Sequence, residues 1–109
     1  MLFSLNEDQL AIQELVRRVA REKVAPRAAE IDRTGAYPQD MFDLLKGLGV
    51  YSLPFPKEYG GTGSILSACV AAEELSRVCY NTGYVMIAQW GPFGAILHGG
   101  NEEQKRKYL

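Results

Sequence analysis

His98 is the single histidine of the chain and the first residue to consider for acid–base chemistry. It follows an apolar segment and precedes Gly99 and Gly100, a position typical of a helix C-terminus, where a partly charged imidazole is favoured. No Cys or Asp lies at metal-ligand spacing from it, and the spacing of serines and aspartates around it suggests no catalytic triad. We therefore interpret His98 as a structural or surface residue and predict no metal site.

The two cysteines, Cys69 and Cys79, are the next candidates for chemistry. If both lie in one helix, ten residues of rise place them about 15 Å apart, which is too far for a disulfide bond. We interpret both as small apolar packing residues of a cytosolic domain.

Three glycines, Gly60, Gly61 and Gly63, invite comparison with phosphate-binding loops. A Walker loop ends in Gly-Lys-Ser/Thr, and a dinucleotide-binding loop follows a strand. Neither feature is present here, so we predict a turn that leads into a helix starting at Ser64. The N-terminus of that helix remains a position where an anion can bind.

Charged side chains follow ordinary helical spacing. Glu73 and Glu74 lie four and three residues before Arg77, which is the spacing of ion pairs within a helix. Residues 14–33 contain six basic side chains, but four acidic ones lie among them. We interpret this segment as a solvated helix face, and we disfavour a small helix-turn-helix protein that contacts DNA.

Length and composition limit the class of protein. The chain has 109 residues, a formal charge of −1, 47% hydrophobic residues and 23% charged residues. These values are typical of one folded domain over residues 1–109, and they argue against a disordered chain and against a nucleic-acid-binding protein. No apolar run is long enough for a membrane span, and the N-terminus lacks a signal-peptide pattern, so we predict a cytoplasmic protein.

The first part of the chain has a helical pattern. Asn6 and Gln9 form a capping-box pair, and apolar residues then recur at helical spacing as far as Val24. Pro26 is expected to kink or break this helix, and another turn or two should follow over residues 27–33.

Two further helices are predicted on either side of a loop. Pro38 suits the first position of a short amphipathic helix that Gly47 or Gly49 closes. Residues 50–63 contain two prolines and three glycines and should form a structured loop. The next helix, over residues 64–80, is apolar around most of its circumference and should be central and buried.

The last part of the chain is helical as well. Residues 81–83 are expected to interrupt the helix, and residues 84–97 form a second apolar stretch that is bent or closely packed. Asn101 caps a short final helix that reaches Leu109 without a C-cap, so the sequence looks cut. Because no segment alternates with period two, we predict an all-α fold, an orthogonal or up-down bundle of about five to six helices.

Residues 83–94 carry the pattern most suggestive of ligand binding. Small residues let another backbone or a ligand approach, and methionine and aromatic side chains supply apolar walls. Tight helix packing explains the same pattern, and the residues alone favour packing.

A resemblance to a known family rests on four pieces that occur in the expected order and spacing: FSLNEDQLAIQELVRRVAREKVAPRAAEIDRTGAYP, LGVYSLPFPKEYGGTG, AAEELSRVC and GGNEEQKRKYL. Together they look like the N-terminal helical domain of the acyl-CoA dehydrogenases, the flavin enzymes that desaturate acyl-CoA thioesters. The resemblance covers essentially the whole chain.

The resemblance implies a larger enzyme that binds FAD and acyl-CoA. In that family a β domain and a second helical domain follow, the flavin lies between these two, and the catalytic glutamate usually belongs to the last domain. The resemblance therefore implies no catalytic residue and no FAD site within this chain alone. It also implies a homo-oligomer in the full-length form.

The resemblance further assigns residues to two surfaces. By position, Gly83, Tyr84, Ile87 and Gly91 line a wall of the acyl pocket, and the bulk of Tyr84 and Ile87 implies a short pocket or one for an alicyclic or branched acyl group.

Some family members also dock the electron-transferring flavoprotein through an apolar patch around the YGG loop. Val50 keeps an apolar side chain there. Thr62 and Ser64 stand where more apolar residues are expected, which implies weaker docking.

The alternative hypothesis is a free-standing helical interaction module derived from such an enzyme. The apolar stretch and the short final helix would then form the surface that binds its partner.

Overall fold

The computed structural model describes residues 3–109, which form helices and helical turns and contain no strand. The elements are α1 (Glu7–Val19), a π-helical turn (Ala20–Val24), α2 (Ala25–Thr34), α3 (Gln39–Leu48), two 3₁₀ turns (Val50–Ser52 and Lys57–Tyr59), α4 (Ile65–Val78), α5 (Tyr80–Gly99) and α6 (Glu102–Tyr108). Since α1, the π turn and α2 form one continuous run, residues 3–109 contain five separate helical rods. The predicted all-α bundle of about five to six helices is confirmed.

Local sequence sets the helix ends. Asn6 and Asn101 each accept a hydrogen bond from the backbone N–H three residues later, at 2.8 and 2.9 Å, and complete the capping boxes of α1 and α6. Gly35 and Gly49 end α2 and α3 with φ angles of 67° and 74°, a left-handed conformation that favours glycine. Gly47, the alternative end predicted for α3, lies inside that helix.

Pro26 does not break the first helical run. The N–H of Ala25 donates to the carbonyl of Ala20, five residues earlier, and closes the π turn just before the proline. The extra residue relieves the crowding between the proline ring and the preceding turn, so α2 continues to Thr34. The expected break is therefore wrong, and the helical run continues through a π turn, the kind of irregularity at which helices commonly kink. Pro38 occupies the N-cap position of α3, one residue before the first helical position that was predicted for it.

Helix α4 is the centre of the molecule and packs against both α1 and α5. Ala71 and Leu75 on α4 are 0% and 1% exposed, which confirms the predicted central, buried helix. The core contains mostly aliphatic side chains from every α-helix except α6, from the π turn and from residues 50–53 and 79: Val16, Ala20, Val24, Ile31, Met41, Leu45, Val50, Leu53, Ala68, Ala71, Leu75, Cys79 and Met86.

The junction between α4 and α5 differs from the prediction. Residues 81–83 do not interrupt a helix but lie in the first turn of α5, where Thr82 and Gly83 are buried. The chain is instead extended at Cys79, with φ −146° and ψ 104°, and the Thr82 hydroxyl donates to the Cys79 sulfur at 3.2 Å. Cys79 packs in the core as predicted, whereas Cys69 is exposed, so its assignment as a packing residue is wrong.

A buried carboxylate joins α1 to α4. Glu74 is 2% exposed and accepts hydrogen bonds from Nε and Nη2 of Arg17 at 3.0 and 2.7 Å. These hydrogen bonds hold the pKa of Glu74 below its usual value, against the opposite effect of burial. Arg17, which was interpreted as part of a solvated helix face, is half exposed and pairs with this buried carboxylate on another helix.

None of the helices in residues 3–109 has the length and hydropathy that a membrane-crossing helix requires.

Candidate functional site

Helix α5 holds all four residues predicted to line an acyl pocket, and its 20 residues include no Asp, Glu, Lys or Arg. One side packs into the core through Val85 and Met86. On the outer side Tyr80, Tyr84 and Ile87 are 70%, 59% and 42% exposed. A solvent-facing side of a helix normally carries charged residues, so this apolar outer face is a candidate contact surface.

Three of the four predicted pocket residues share that outer face. At about 100° per residue, Ile87 and Gly91 lie about 60° and 20° around the helix from Tyr84, on the same side of it. Tyr80 precedes Tyr84 by one turn and stacks on it, with ring centroids 6.1 Å apart. A side chain at Gly91 would meet only open space. We call Tyr80, Tyr84, Ile87 and Gly91 the α5 strip.

Gly83, the fourth predicted residue, does not lie on the open strip. It is buried where α5 crosses α4, and a Cβ placed on it would lie 2.9 Å from the Ser76 Cβ and 3.1 Å from the Ser76 Cα, with the Ser76 hydroxyl closer still. Such distances leave no room for a side chain, so Gly83 lets the two helices approach closely. The structure separates this packing position from the three surface positions.

A groove of about 420 Å³ runs beside the strip, between α5 and the segment that joins α2 to α3. We call it the α5 groove. The amide of Gln89 donates to the Val85 carbonyl at 3.3 Å, so this polar side chain is hydrogen-bonded to its own helix. Sequence reasoning missed the groove, because its two walls are about 50 residues apart in the chain. The lining consists of Ile31, Asp32, Gly35, Ala36, Tyr37, Pro38, Asn81, Tyr84, Val85, Ala88 and Gln89.

The three residues predicted to lie where electron-transferring flavoprotein docks, Val50, Thr62 and Ser64, differ in their burial and in their hydrogen bonds. Val50 is 3% exposed and belongs to the core, so its side chain is not offered to a partner. The Thr62 hydroxyl donates to the Leu53 carbonyl at 2.6 Å, and the Ser64 hydroxyl accepts from the Ser67 N–H as the cap of α4. Thr62 and Ser64 therefore lie close together on the loop, but both hydroxyls are already hydrogen-bonded to backbone groups.

Two side chains with shifted pKa values lie in contacts between helices or between a helix and a turn. Arg27 donates to Asp40 at 2.7 Å and lowers the pKa of that carboxyl, and burial raises the pKa of Tyr51. Within residues 3–109 no cluster of His, Cys, Asp and Glu is arranged to hold a metal ion. His98 is exposed and borders a small apolar cavity of about 200 Å³ together with Cys69.

Comparison with known proteins gives the family. Residues 6–109 match the family model described as acyl-CoA dehydrogenase, N-terminal domain. The chain belongs to this family. Among curated relatives of this acyl-CoA dehydrogenase N-terminal domain, the short-chain-specific acyl-CoA dehydrogenase of Clostridium acetobutylicum is 40% identical over 111 residues. The cyclohex-1-ene-1-carbonyl-CoA dehydrogenase of Geobacter metallireducens is 40% identical over 106 residues.

Solved structures contain the same fold. A chain in the structure of the electron transferring flavoprotein of Acidaminococcus fermentans superposes with a TM-score of 0.93 at 37% identity. Butyryl-CoA dehydrogenase of Megasphaera elsdenii superposes with a TM-score of 0.91 at 31% identity. Each match covers 100% of this domain.

The domain spans less than a third of the length of these proteins. Its match covers 29% of the Clostridium acetobutylicum protein and 28% of the Geobacter metallireducens protein, while covering 100% and 96% of this chain. The two structural matches cover 29% and 30% of those chains.

Proposed function

We propose that this domain is the N-terminal part of an FAD-dependent enzyme that desaturates acyl-CoA thioesters, and that the α5 strip forms one wall of its acyl pocket. The observation that carries the proposal is the apolar outer face of a helix without charged residues, on which Tyr84, Ile87 and Gly91 lie together. An acyl chain against this wall gains about 0.8 kcal/mol for each methylene group removed from water.

The domain contributes binding and not chemistry. Every buried side-chain nitrogen and oxygen within residues 3–109 has a hydrogen-bond partner, so the described part of the chain leaves no orphaned polar group for a flavin to satisfy. In the proposal, FAD and the catalytic base belong to the rest of the enzyme, as the family resemblance implies. Bound FAD supplies the hydride acceptor, and the strip excludes water from the acyl chain.

Two further parts of the proposal concern partners. The full-length enzyme is a homo-oligomer, and electron-transferring flavoprotein accepts its electrons. Docking of that flavoprotein near Thr62 and Ser64 is weak, because both hydroxyls are already hydrogen-bonded and Val50 lies in the core.

The first test is purification of the protein that carries this chain from its natural source. We expect flavin absorbance and oxidation of acyl-CoA thioesters with an artificial electron acceptor. A flavin-free protein, or one that oxidises no acyl-CoA, would overturn the proposal. A colourless species of 12.1 kDa that co-purifies with one partner would instead support the interaction-module hypothesis.

A matched pair of variants tests the strip itself. Ile87→Asp places a carboxylate on the proposed wall, and we expect kcat/KM for the acyl-CoA to fall by about 30-fold or more, because an unpaired charge is costly to bury. Ile65→Asp is the control, since Ile65 is also exposed, at 68%, but lies on α4 and is not part of the strip. Equal effects of the two variants would refute the assignment of Ile87 to the pocket.

A further inference from the structure

Helix α6 is the one α-helix in residues 3–109 that has no buried residue. It is joined to α5 through Gly100 and Asn101, where the backbone is extended, with ψ angles of 157° and 173°. A segment with few buried contacts opens more readily than the rest of a fold. The direction of α6 therefore depends on the contacts that it makes with other elements.

A tyrosine of the loop between α3 and α4 holds the first turn of α6. Tyr59 lies in the second 3₁₀ turn, and its hydroxyl donates to the two carboxylate oxygens of Glu102 at 3.2 and 3.1 Å. The guanidinium of Arg106, one turn later in α6, lies 2.9 Å from the same carboxylate. Within residues 3–109, no other side-chain hydrogen bond or ion pair joins α6 to another element. We call the contact between Tyr59 and Glu102 the α6 latch.

The loop that carries Tyr59 is itself attached to the core. The N–H of Gly63 donates to the carbonyl of Phe55 at 2.8 Å, and Phe55 is 5% exposed. Burial and the hydrogen bond to Glu102 raise the pKa of Tyr59, so its hydroxyl stays protonated at neutral pH and can donate. Because the loop side of the α6 latch is fixed, the latch restrains α6.

A small change in the direction of α6 moves its far end by a distance that matters for chemistry. Its seven residues are about 10 Å long at 1.5 Å per residue, so a tilt of about 6° at Gly100 moves the last residue by about 1 Å. The α5 strip lies on one side of this joint, and in the proposed enzyme the flavin-binding part lies on the other. A misplacement of about 1 Å can lower a reaction rate by about 100-fold.

We propose that Tyr59 is a positioning residue: through the α6 latch it sets the direction of α6, and thereby the position of the acyl chain on the α5 strip relative to the flavin. This inference rests on the proposed function, because it requires a flavin-binding part that follows α6. It assigns a role in the reaction to a side chain that lies outside the α5 strip.

The first experiment mixes the flavin-loaded, full-length enzyme with an acyl-CoA thioester, without an electron acceptor, and follows the bleaching of the flavin. Tyr59→Phe removes only the hydroxyl, and we expect the maximal bleaching rate to fall by about twofold to tenfold, the range typical of one hydrogen bond. The half-saturating acyl-CoA concentration should stay within about twofold, because the strip is unchanged. Glu102→Ala should have the same effect, and the double variant should be no slower than either single variant. Glu103→Ala is the matched control and should keep the wild-type rate, since Glu103 also lies in the first turn of α6 but makes no hydrogen bond to Tyr59.

The second experiment measures amide hydrogen exchange by mass spectrometry on the same proteins, and it tests the α6 latch without reference to activity. Tyr59→Phe should speed exchange in α6 by about twofold to tenfold and leave exchange in α4 unchanged. If the bleaching rate of Tyr59→Phe equals that of the wild type, the inference is overturned, whether or not α6 exchanges faster, and the proposed function stands. A wild-type enzyme that binds no flavin, or whose flavin no acyl-CoA bleaches, overturns the proposed function and this role of Tyr59 with it.

Discussion

Replacing Glu74 by glutamine tests whether the contact between α1 and α4 depends on a buried charge. Glu74 is 2% exposed, and both of its oxygens accept hydrogen bonds from Arg17, at 3.0 and 2.7 Å. A second guanidinium, on Arg77, lies 3.7 Å from Oε1. Glutamine keeps the shape of the side chain, but it removes the charge and turns an NH₂ donor toward a guanidinium that cannot accept.

The structure sets the size of the expected effect. A hydrogen bond to a charged group contributes about 1.5–3 kcal/mol, and breaking a fully buried ion pair costs about 3–5 kcal/mol. The Arg17 side chain is 50% exposed and can be rehydrated, so the lower range applies and we expect Glu74→Gln to cost about 2 kcal/mol. With an unfolding entropy of about 2.1 cal/mol/K per residue, this corresponds to a fall in Tm of about 9 °C for a chain of this size.

The assay is thermal and urea unfolding of the domain followed by far-UV circular dichroism. Glu73→Gln is the matched control, because Glu73 is the neighbouring residue, its side chain is 70% exposed, and its ion pair with Arg77 is 3.6 Å long. The control should change the free energy of unfolding by no more than about 0.5 kcal/mol. Equal Tm values for the two variants would show that burial of Glu74 contributes nothing, and the reasoning would be refuted.

Three further predictions concern stability. The folded-state pKa of Glu74 is lowered from 4.5, so the stabilisation by its charge is complete above that pH and is lost as the pH falls through the lower value. In urea unfolding, the free energy of unfolding should therefore fall more steeply toward acid in the wild type than in Glu74→Gln. Parallel curves for the two proteins would contradict this. Gly83→Ala should destabilise the domain by about 1–3 kcal/mol, because the added methyl group overpacks the contact with α4. Gly94→Ala has open space at its Cβ and should stabilise the domain by up to about 1 kcal/mol. Thermal unfolding in which both variants shift Tm in the same direction would refute this difference. Trp90→Phe removes the 3.0 Å hydrogen bond from the indole N–H to the Tyr51 carbonyl and should cost about 1 kcal/mol in urea unfolding, and an unchanged midpoint would show that this bond is not needed.

Much of the fold could be predicted from the sequence because helix signals are local. The Asn6 and Asn101 caps depend on residues three positions away, and Gly35 ends α2 through its own φ angle. The apolar pattern of residues 64–80 is equally local, since a helix without a polar side must be buried.

The secondary-structure predictions were wrong where a local sequence signal competes with tertiary packing. Asn81, Thr82 and Gly83 are poor helix formers, yet burial of Thr82 and the close approach of Gly83 to α4 place them inside α5. Propensity differences of less than about 1 kcal/mol per residue are easily outweighed by such tertiary contacts. Pro26 is a second case, because a π turn accommodates a ring that an ordinary α-helix would not.

The candidate site likewise has one part that the sequence predicts and another that only the tertiary structure shows. The resemblance placed Tyr84, Ile87 and Gly91 together, and the helical period puts any three residues so spaced on one face. It also grouped Gly83 with them, and only the crossing of α5 over α4 shows that Gly83 is a packing position.

The sequence by itself determined the family, the helical class and most helix ends, since these follow from hydrogen bonds and apolar periods within a few residues. Tertiary structure alone decided that Glu74 pairs with Arg17, 57 residues away, and that residues 31–38 face α5 across a groove. The physical reason is that the burial of a charge and the shape of a cavity depend on how helices pack against one another.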